Sequence, residues 1–378
     1  MYISRESLEQ FTPAYPLEQF APLDEILFLD IETTGFSPAH TQLYLIGLIS
    51  CQNGKWELHQ MMAESPSEEK ELLLRLNHLL DHFSVLIHFN GTRFDISYLM
   101  QKAAAYEIEL PLDSLQSIDL YRQISSWRDK LGLADCRQRT VEEFMGLHRR
   151  DPYNGGELIQ RYKAYTAHPN DTTRNLLMQH NRDDMKGLLY ILSMLSYGDI
   201  LRKVPKVRKA SMTKTKNHKG ELTCELTMEC KLPQPLPRPL TLQYDGITLL
   251  ADGTKLMLSV PVLDGELKYY YPNYKNYYYI PALDAAYHKS VASFAEKEYR
   301  VQATAATCYT RRSGYFLKQY SPIVEPYYKA DYKDHVTYFE ITTDTRENRE
   351  LFQCYAEHLI RKILNDRQAP AMAAGETS

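Results

Sequence analysis

Four carboxylates stand in three separated motifs, and each is of a type that a divalent cation can use. They are Asp30 and Glu32 in LDIETTGF, Asp95 in HFNGTRFDISYL, and Asp184 in HNRDDMKGLL. Each motif joins an apolar run to an acid. Two Mg²⁺ or Mn²⁺ ions need a cluster of hard oxygen ligands, which scattered surface acids do not supply. The reaction such a cluster serves best is hydrolysis of a phosphodiester by two metals.

The elements that must position these acids can be read from the flanking residues. Ile26-Leu27-Phe28-Leu29 is continuously apolar, as expected of a central strand covered on both faces. Asp30 and Glu32 follow with one residue between them, so on a strand both project from the same face. Thr33, Thr34 and Gly35 then turn the chain. Two carboxylates on one face repel unless a cation lies between them; the plain alternative is an acidic loop. The second motif follows Val85-Leu86-Ile87 and carries Asn90, Gly91, Phe94 and Asp95. Ile96, Leu99 and Met100 share a helical face, which puts Asp95 in the first turn of a helix. The helix dipole favours a carboxylate there, so Asp95 alone would need no cation.

The third motif lies in a helical pattern from Thr172 to Tyr197, with Leu176, Leu177, His180, Asp184, Leu188, Ile191 and Leu195 on one stripe. His180 and Asp184 are four residues apart and share a face. A His and an Asp on an apolar stripe are costly unless used or paired. Asp183 becomes a candidate if the helix is rotated, but spacing favours Asp184.

In order and spacing the three motifs resemble the ExoI, ExoII and ExoIII motifs of DEDD-type 3′–5′ exonucleases, which have a ribonuclease-H-like fold. Asn90-x-x-x-Phe94-Asp95 resembles the second motif of proofreading exonucleases. The intervening IDLYRQISSWRDKLGL and RQRTVEEFMGLHRRDPYNGGELIQRYKAY are similar to the YprB-type branch of that superfamily, as is the HNxxD third motif. The resemblance covers about residues 20–198. It implies that Asp30, Glu32, Asp95 and Asp184 bind two divalent cations, Mg²⁺ or Mn²⁺. Asp30 would bridge both, Glu32 and Asp184 would hold the one that carries the attacking water, and Asp95 would act on the second. The family has Tyr at Y-x-x-x-D or His at H-x-x-x-x-D, whereas this chain has His180 at the Tyr spacing. His180 would deprotonate the attacking water or orient it. Thr33, Thr34, Gly35, Asn90 and Asn181 are candidate substrate contacts. Phe36, Phe94 and Tyr98 are stacking candidates, with core packing the alternative for Phe94. The implied activity is release of mononucleotides from the 3′ end of DNA or RNA. The rivals are an endonuclease on the same fold and a nucleic-acid-binding scaffold with a weakened centre.

The whole chain sets bounds on these readings. At 378 residues it is long enough for two domains. The mean hydropathy of −0.45 is that of a globular protein, and no apolar run is long enough to span a membrane. MYISRESLEQF has no apolar core of a signal peptide. Six cysteines without a CxxC argue against a zinc site and a disulfide framework, and a cytoplasmic protein is expected. Residues 1–200 hold 18 Lys and Arg against 28 acids, whereas residues 201–378 hold 26 against 20. Eight basic residues and no acid lie between Arg202 and Lys219, a strip that would attract phosphates or serve as a solvated linker.

The organisation expected is a mixed α/β sheet covered by helices over 1–198, a basic linker over 199–220, and a β-rich α+β domain over 221–378. Strands are expected at 26–30, 43–50, 56–62 and 84–89, and helices at 67–82, 95–105, 119–129, 140–146, 154–165 and 172–197. The early strands should pair antiparallel and the later ones in parallel. In the second half, Asp-Gly pairs at 245, 252 and 264 signal hairpins between strands at 221–231, 239–250, 255–261 and 266–280. Helices are expected at 282–297 and 345–366, with a strand at 338–343. Seven of the eleven residues from Tyr269 to Tyr279 are Tyr, suited to stacking on bases or to lining half-buried sheets. This half could also dock a protein partner.

Overall fold

The computed structural model describes residues 1–9, 11–149, 153, 155–203, 205–216 and 222–366. The chain divides into two compact units, Met1–Gly198 and Asp199–Ser378.

In the first unit the strands are β1 (Tyr2–Ser7), β2 (Ile26–Thr33), β3 (Leu43–Gln52), β4 (Lys55–Met62), β5 (Val85–His88) and β6 (Gln116–Asp119). They form one sheet in the order β1-β4-β3-β2-β5-β6. The first four pair antiparallel, and β2, β5 and β6 pair in parallel, as the sequence pattern leads one to expect. The helices are α1 (Glu69–Leu80), α2 (Asp95–Ala105), α3 (Leu120–Ser125), α4 (Arg128–Leu131), α5 (Gln138–Met145), α6 (Gly155–Ala167), α7 (Asp171–Ile191) and α8 (Leu195–Arg202), which runs into the second unit.

One face of the sheet buries Leu27, Leu29, Ile46 and Met61 against Leu72 and Leu76 of α1 and Leu99 of α2. The other buries Tyr44, Leu45 and Met62 against Tyr162 and Tyr165 of α6 and Leu177 of α7. A sheet covered on both faces explains why β2 and β3 read as continuous apolar runs. Strands β1 and β6 escaped sequence reading: β1 is a half-exposed edge strand, and β6 has four residues.

The second unit contains β7 (Lys206–Lys216), β8 (Leu222–Lys231), β9 (Leu240–Tyr244), β10 (Ile247–Asp252), β11 (Lys255–Tyr270), β12 (Tyr277–Ile280), β13 (Ala285–His288), β14 (Val301–Gln302), β15 (Tyr309–Gln319), β16 (Tyr327–Tyr328) and β17 (Thr337–Glu340). Its helices are α9 (Lys289–Ala292), α10 (Thr343–Glu347) and α11 (Arg349–Asn365). The long strand β11 is the spine of an antiparallel sheet, pairing with β8, β10 and β15.

Three expectations are corrected here. The basic segment expected as a linker forms β7, antiparallel to β8 with Ala210 opposite Met228 and Met212 opposite Leu226. Two of its lysines are engaged: Lys209 Nζ lies 3.9 Å from Glu229, and the Lys214 ammonium lies 4.6 Å from the Tyr315 ring centre. Lys219 lies outside the described residues. Asp264-Gly265 is not a turn. Strand β11 runs through it, with Gly265 opposite Gly314, because 266–270 pairs with β15 rather than folding back on its own neighbour. Residues 282–297, expected as a helix, instead hold the turn and second strand of the β12–β13 hairpin followed by the short α9. Around Tyr269–Tyr279 the rings pack on one another: Tyr271 stacks on Tyr277 at 4.6 Å, and Tyr270 meets Tyr309 edge-on at 5.4 Å. That favours the half-buried-sheet reading of the tyrosines. No helix of the described residues is long and apolar enough to cross a membrane.

Leu76 is fully buried where α1 meets the sheet. Leu76→Ala should lower unfolding free energy by about 2–5 kcal/mol, read as a shifted urea midpoint at constant slope. A change below about 1 kcal/mol would mean that α1 is not packed as described.

Candidate metal centre

Strand β2 is buried through Leu29, and its polar residues begin at Asp30. Asp30 and Glu32 are half-buried on one face, and Ile31 between them enters the opposite core. A register shift between Glu32 and Thr33 ends the regular pairing just past the two acids. Asp95 is the first residue of α2 and is 6% exposed. Its Oδ1 accepts from the Ile31 N–H at 3.2 Å, which ties the second motif to the strand carrying the first. From α7, His180 Nε2 lies 3.3 Å from Asp184 Oδ2 and 3.7 Å from Glu32 Oε1. Glu32, His180 and Asp184 each offer a ligand atom within 4.8 Å of the others.

The electrostatics match a site that needs positive charge. Burial, and then the charges of Asp184, Asp95 and Glu32, push the Asp30 carboxyl well above its ordinary range, while a bond from Asn181 opposes them. Burial likewise raises Asp95 to about 7. Carboxylates packed so closely cannot all ionise without a counter-charge. Oxygen donors with one imidazole suit a hard or borderline divalent cation, so the residues present fit Mg²⁺ or Mn²⁺.

The structure brings all five expected chemical residues together: Asp30, Glu32, Asp95, His180 and Asp184. Asp183 accepts from Gln179 at 2.6 Å instead, and Asp184 is the acid that meets Glu32 and His180. The expected substrate contacts divide. Phe36 is 89% exposed beside the site and is braced edge-on by Phe94 at 5.8 Å. The hydroxyls of Thr33 and Thr34 serve their own loop, bonding Gly35 O and the Gln42 N–H at 2.8 Å each. Gly35 packs against Thr41, whose methyl a Cβ would meet at 2.8 Å. The Asn90 N–H donates to Asp119 Oδ1 at 2.9 Å, and the Asn90 Oδ1 is buried with no partner among the described residues.

Two of these residues are corrected. Tyr98 is 1% exposed and its hydroxyl lies 2.9 Å from Thr41 Oγ1; it is a core residue, not a stacking platform. Asn181 is fully buried, and its Nδ2 donates to Asp30 Oδ2 at 2.8 Å, while its Oδ1 accepts from Gln60 at 2.8 Å. It positions a carboxylate and does not face substrate. Gly47, paired with Asp30 across β2 and β3, makes room for it: a Cβ there would lie 2.3 Å from Asn181 Oδ1.

Residues 27–196 match the family model described as the RNase_H superfamily. This region is an RNase-H-superfamily domain. Its placement supports a nuclease. Sequence comparison with curated proteins finds no match. Among solved structures, the chain is similar to the family B DNA polymerase of the hyperthermophilic archaeon Pyrobaculum calidifontis, at TM-score 0.34 and 12% identity over 66% of this chain and 35% of that one. It is also similar to exonuclease I, at TM-score 0.30 and 13% identity over 55% of each chain. E. coli exonuclease I in complex with a dT13 oligonucleotide gives TM-score 0.28 and 11% identity over 55% of this chain and 54% of that one. The chain thus spans about a third of the polymerase and about half of exonuclease I.

Sequence reading of the RNase-H-superfamily domain missed Glu142 and Arg149. Arg149 reaches Asp184 Oδ1 and also pairs with the buried Glu142. The one available signal was Gly187. A glycine inside a long helical pattern costs about 1 kcal/mol relative to Ala and so asks for a packing reason. A Cβ there would lie 1.8 Å from Glu142 Oε1.

The raised acids give the metal-free domain a pH dependence of definite sign. In the fold Asp95 keeps its proton up to about 7, whereas an unfolded carboxyl releases it near ~4. Between those values only the unfolded chain loses the proton. Stability in chelator should therefore fall as pH rises from about 4 to about 7 and level off above it. Asp95→Asn should flatten that fall in thermal melts, and Mn²⁺ should raise the melting temperature of the wild type at pH 7.5. An equal slope in the variant would remove Asp95 from this account.

Proposed function

We propose that the RNase-H-superfamily domain is a 3′–5′ exonuclease that hydrolyses nucleic-acid phosphodiesters with two divalent cations, Mg²⁺ or Mn²⁺. Asp30, Glu32, Asp95 and Asp184 would hold them. The observation that carries this reading is the crowding of Asp30 by the other three acids, which come from three separate elements. Four carboxylates carry the charge that two divalent cations neutralise, and unneutralised they cost the fold. When bound, such cations polarise the phosphodiester and stabilise charge on the attacking and leaving oxygens of an in-line displacement.

The chain's own residues supply the rest. The Asn181 amide holds Asp30 from one side, so its second oxygen presents in a fixed direction. The His180 imidazole stands between Glu32 and Asp184, where it can take a proton from the attacking water or orient it. The exposed Phe36 ring, backed by Phe94, can stack on a terminal base.

The test is degradation of 5′-end-labelled single- and double-stranded DNA and RNA with Mg²⁺, Mn²⁺ or chelator. A ladder shortening from the 3′ end, with circular single strands left intact, is expected. Cut circles would make the protein an endonuclease, and binding without any cleavage would make it a nucleic-acid-binding scaffold. Asp30→Asn should lower kcat at least ~10²-fold with the fold retained. Phe36→Ala should raise KM by about tenfold at unchanged kcat, the scale of one lost stacking contact. Wild-type turnover by Asp30→Asn in Mn²⁺ would refute the metal mechanism.

A further inference from the structure

Arg149 is a cation held directly against the candidate ligand Asp184, and its guanidinium is largely withdrawn from solvent. Its Nη1 donates to Asp184 Oδ1, its Nε donates to Glu142 Oε2 at 2.5 Å, and its Nη2 donates to Glu142 Oε1. The side chain is 9% exposed and that of Glu142 is fully buried. Gln138 completes the arrangement: its Nε2 donates to Glu142 Oε1 at 2.9 Å and to the Asp184 carbonyl at 2.8 Å. Gly187, one turn along α7 from Asp184, leaves the space that this group fills. A fully buried glutamate and a glycine inside a long helix are both unfavourable by themselves. Here both serve to aim one arginine at one carboxylate.

We propose that Glu142 and Arg149 form a positioning pair that fixes the rotamer of Asp184. With Oδ1 held by Arg149, Oδ2 is the oxygen left on the side of His180, 3.3 Å away, where Glu32 also points. Asp184 would then offer a cation one oxygen in a set direction instead of two in a loose one. One two-donor edge of the guanidinium, Nε with Nη2, is spent on Glu142, and Nη1 is taken by Asp184. Arg149 is therefore assigned to metal placement, not to substrate binding. This rests on the proposed function for the identity of the cation.

Removing Arg149 alone would strand the buried Glu142 charge and could unfold the domain, so the informative variants are Arg149→Lys and the double variant Glu142→Gln with Arg149→Met. Calorimetric titration of the full-length chain with Mn²⁺ needs no turnover. Both variants should bind Mn²⁺ about 10–100-fold more weakly than wild type, the usual effect of losing a partner that orients a ligand. In parallel assays on labelled single-stranded DNA, the Mn²⁺ concentration for half-maximal kcat should rise by a similar factor, with nucleic-acid KM at saturating Mn²⁺ unchanged. Wild-type Mn²⁺ affinity with a raised KM would overturn the proposal and make Arg149 a substrate contact. A lower melting temperature with metal affinity and both kinetic constants intact would overturn it too, as mere scaffolding. A wild-type chain that takes up no Mn²⁺ would refute the proposed function itself, whereas uptake equal in wild type and variants refutes only the positioning role.

Discussion

Repulsion among carboxylates gathered around Asp30 is the interaction on which the first unit turns. Asp30 ends the buried part of β2, Asp95 begins α2, and Glu32 and Asp184 complete the group from β2 and α7. Each acid disfavours ionisation of Asp30, which burial already penalises. Like charges brought out of water persist only where the surrounding fold holds them and a counter-charge is expected. The sheet does the holding. Its two faces are packed by α1 and α2 on one side and by α6 and α7 on the other, so the elements bearing acids are fixed by apolar burial on both faces.

Fine placement falls to polar groups that carry no chemistry. Asn181 bridges Asp30 and Gln60 over Gly47, and Glu142 with Arg149 braces Asp184 over Gly187. In both places a glycine admits a polar side chain where any Cβ would collide with it. The Ile31 N–H does the same task for Asp95. Three ligand candidates are thus each tied by a different device, and Glu32 stands where the regular pairing of β2 gives way.

Much of this was legible in the sequence. Asp30-x-Glu32 after four apolar residues fixes strand, face and acids together, and Asp95 before a helical face fixes the second motif. What was not legible depends on packing over long separations. Asn181 sits beside His180 in the third motif and looks like a substrate contact until α7 is laid across β3. Arg149 lies 35 residues before Asp184, just past the end of α5. Tyr98 falls where a stacking ring is wanted but faces the core. In the second unit, Asp264-Gly265 carries a turn signature that long-range pairing with β15 overrides, and β7 is so basic that its composition reads as a linker.

The central claim is that the acids around Asp30 are a divalent-cation site. Anomalous diffraction at the manganese edge, from crystals grown with Mn²⁺, tests it most directly. The account predicts two peaks flanking Asp30, each at about 2.0–2.3 Å from carboxylate oxygens of Glu32, Asp95 or Asp184. It also predicts the loss of both peaks in Asp30→Asn. Wild-type crystals soaked at millimolar Mn²⁺ that give no peak at Asp30 would contradict it.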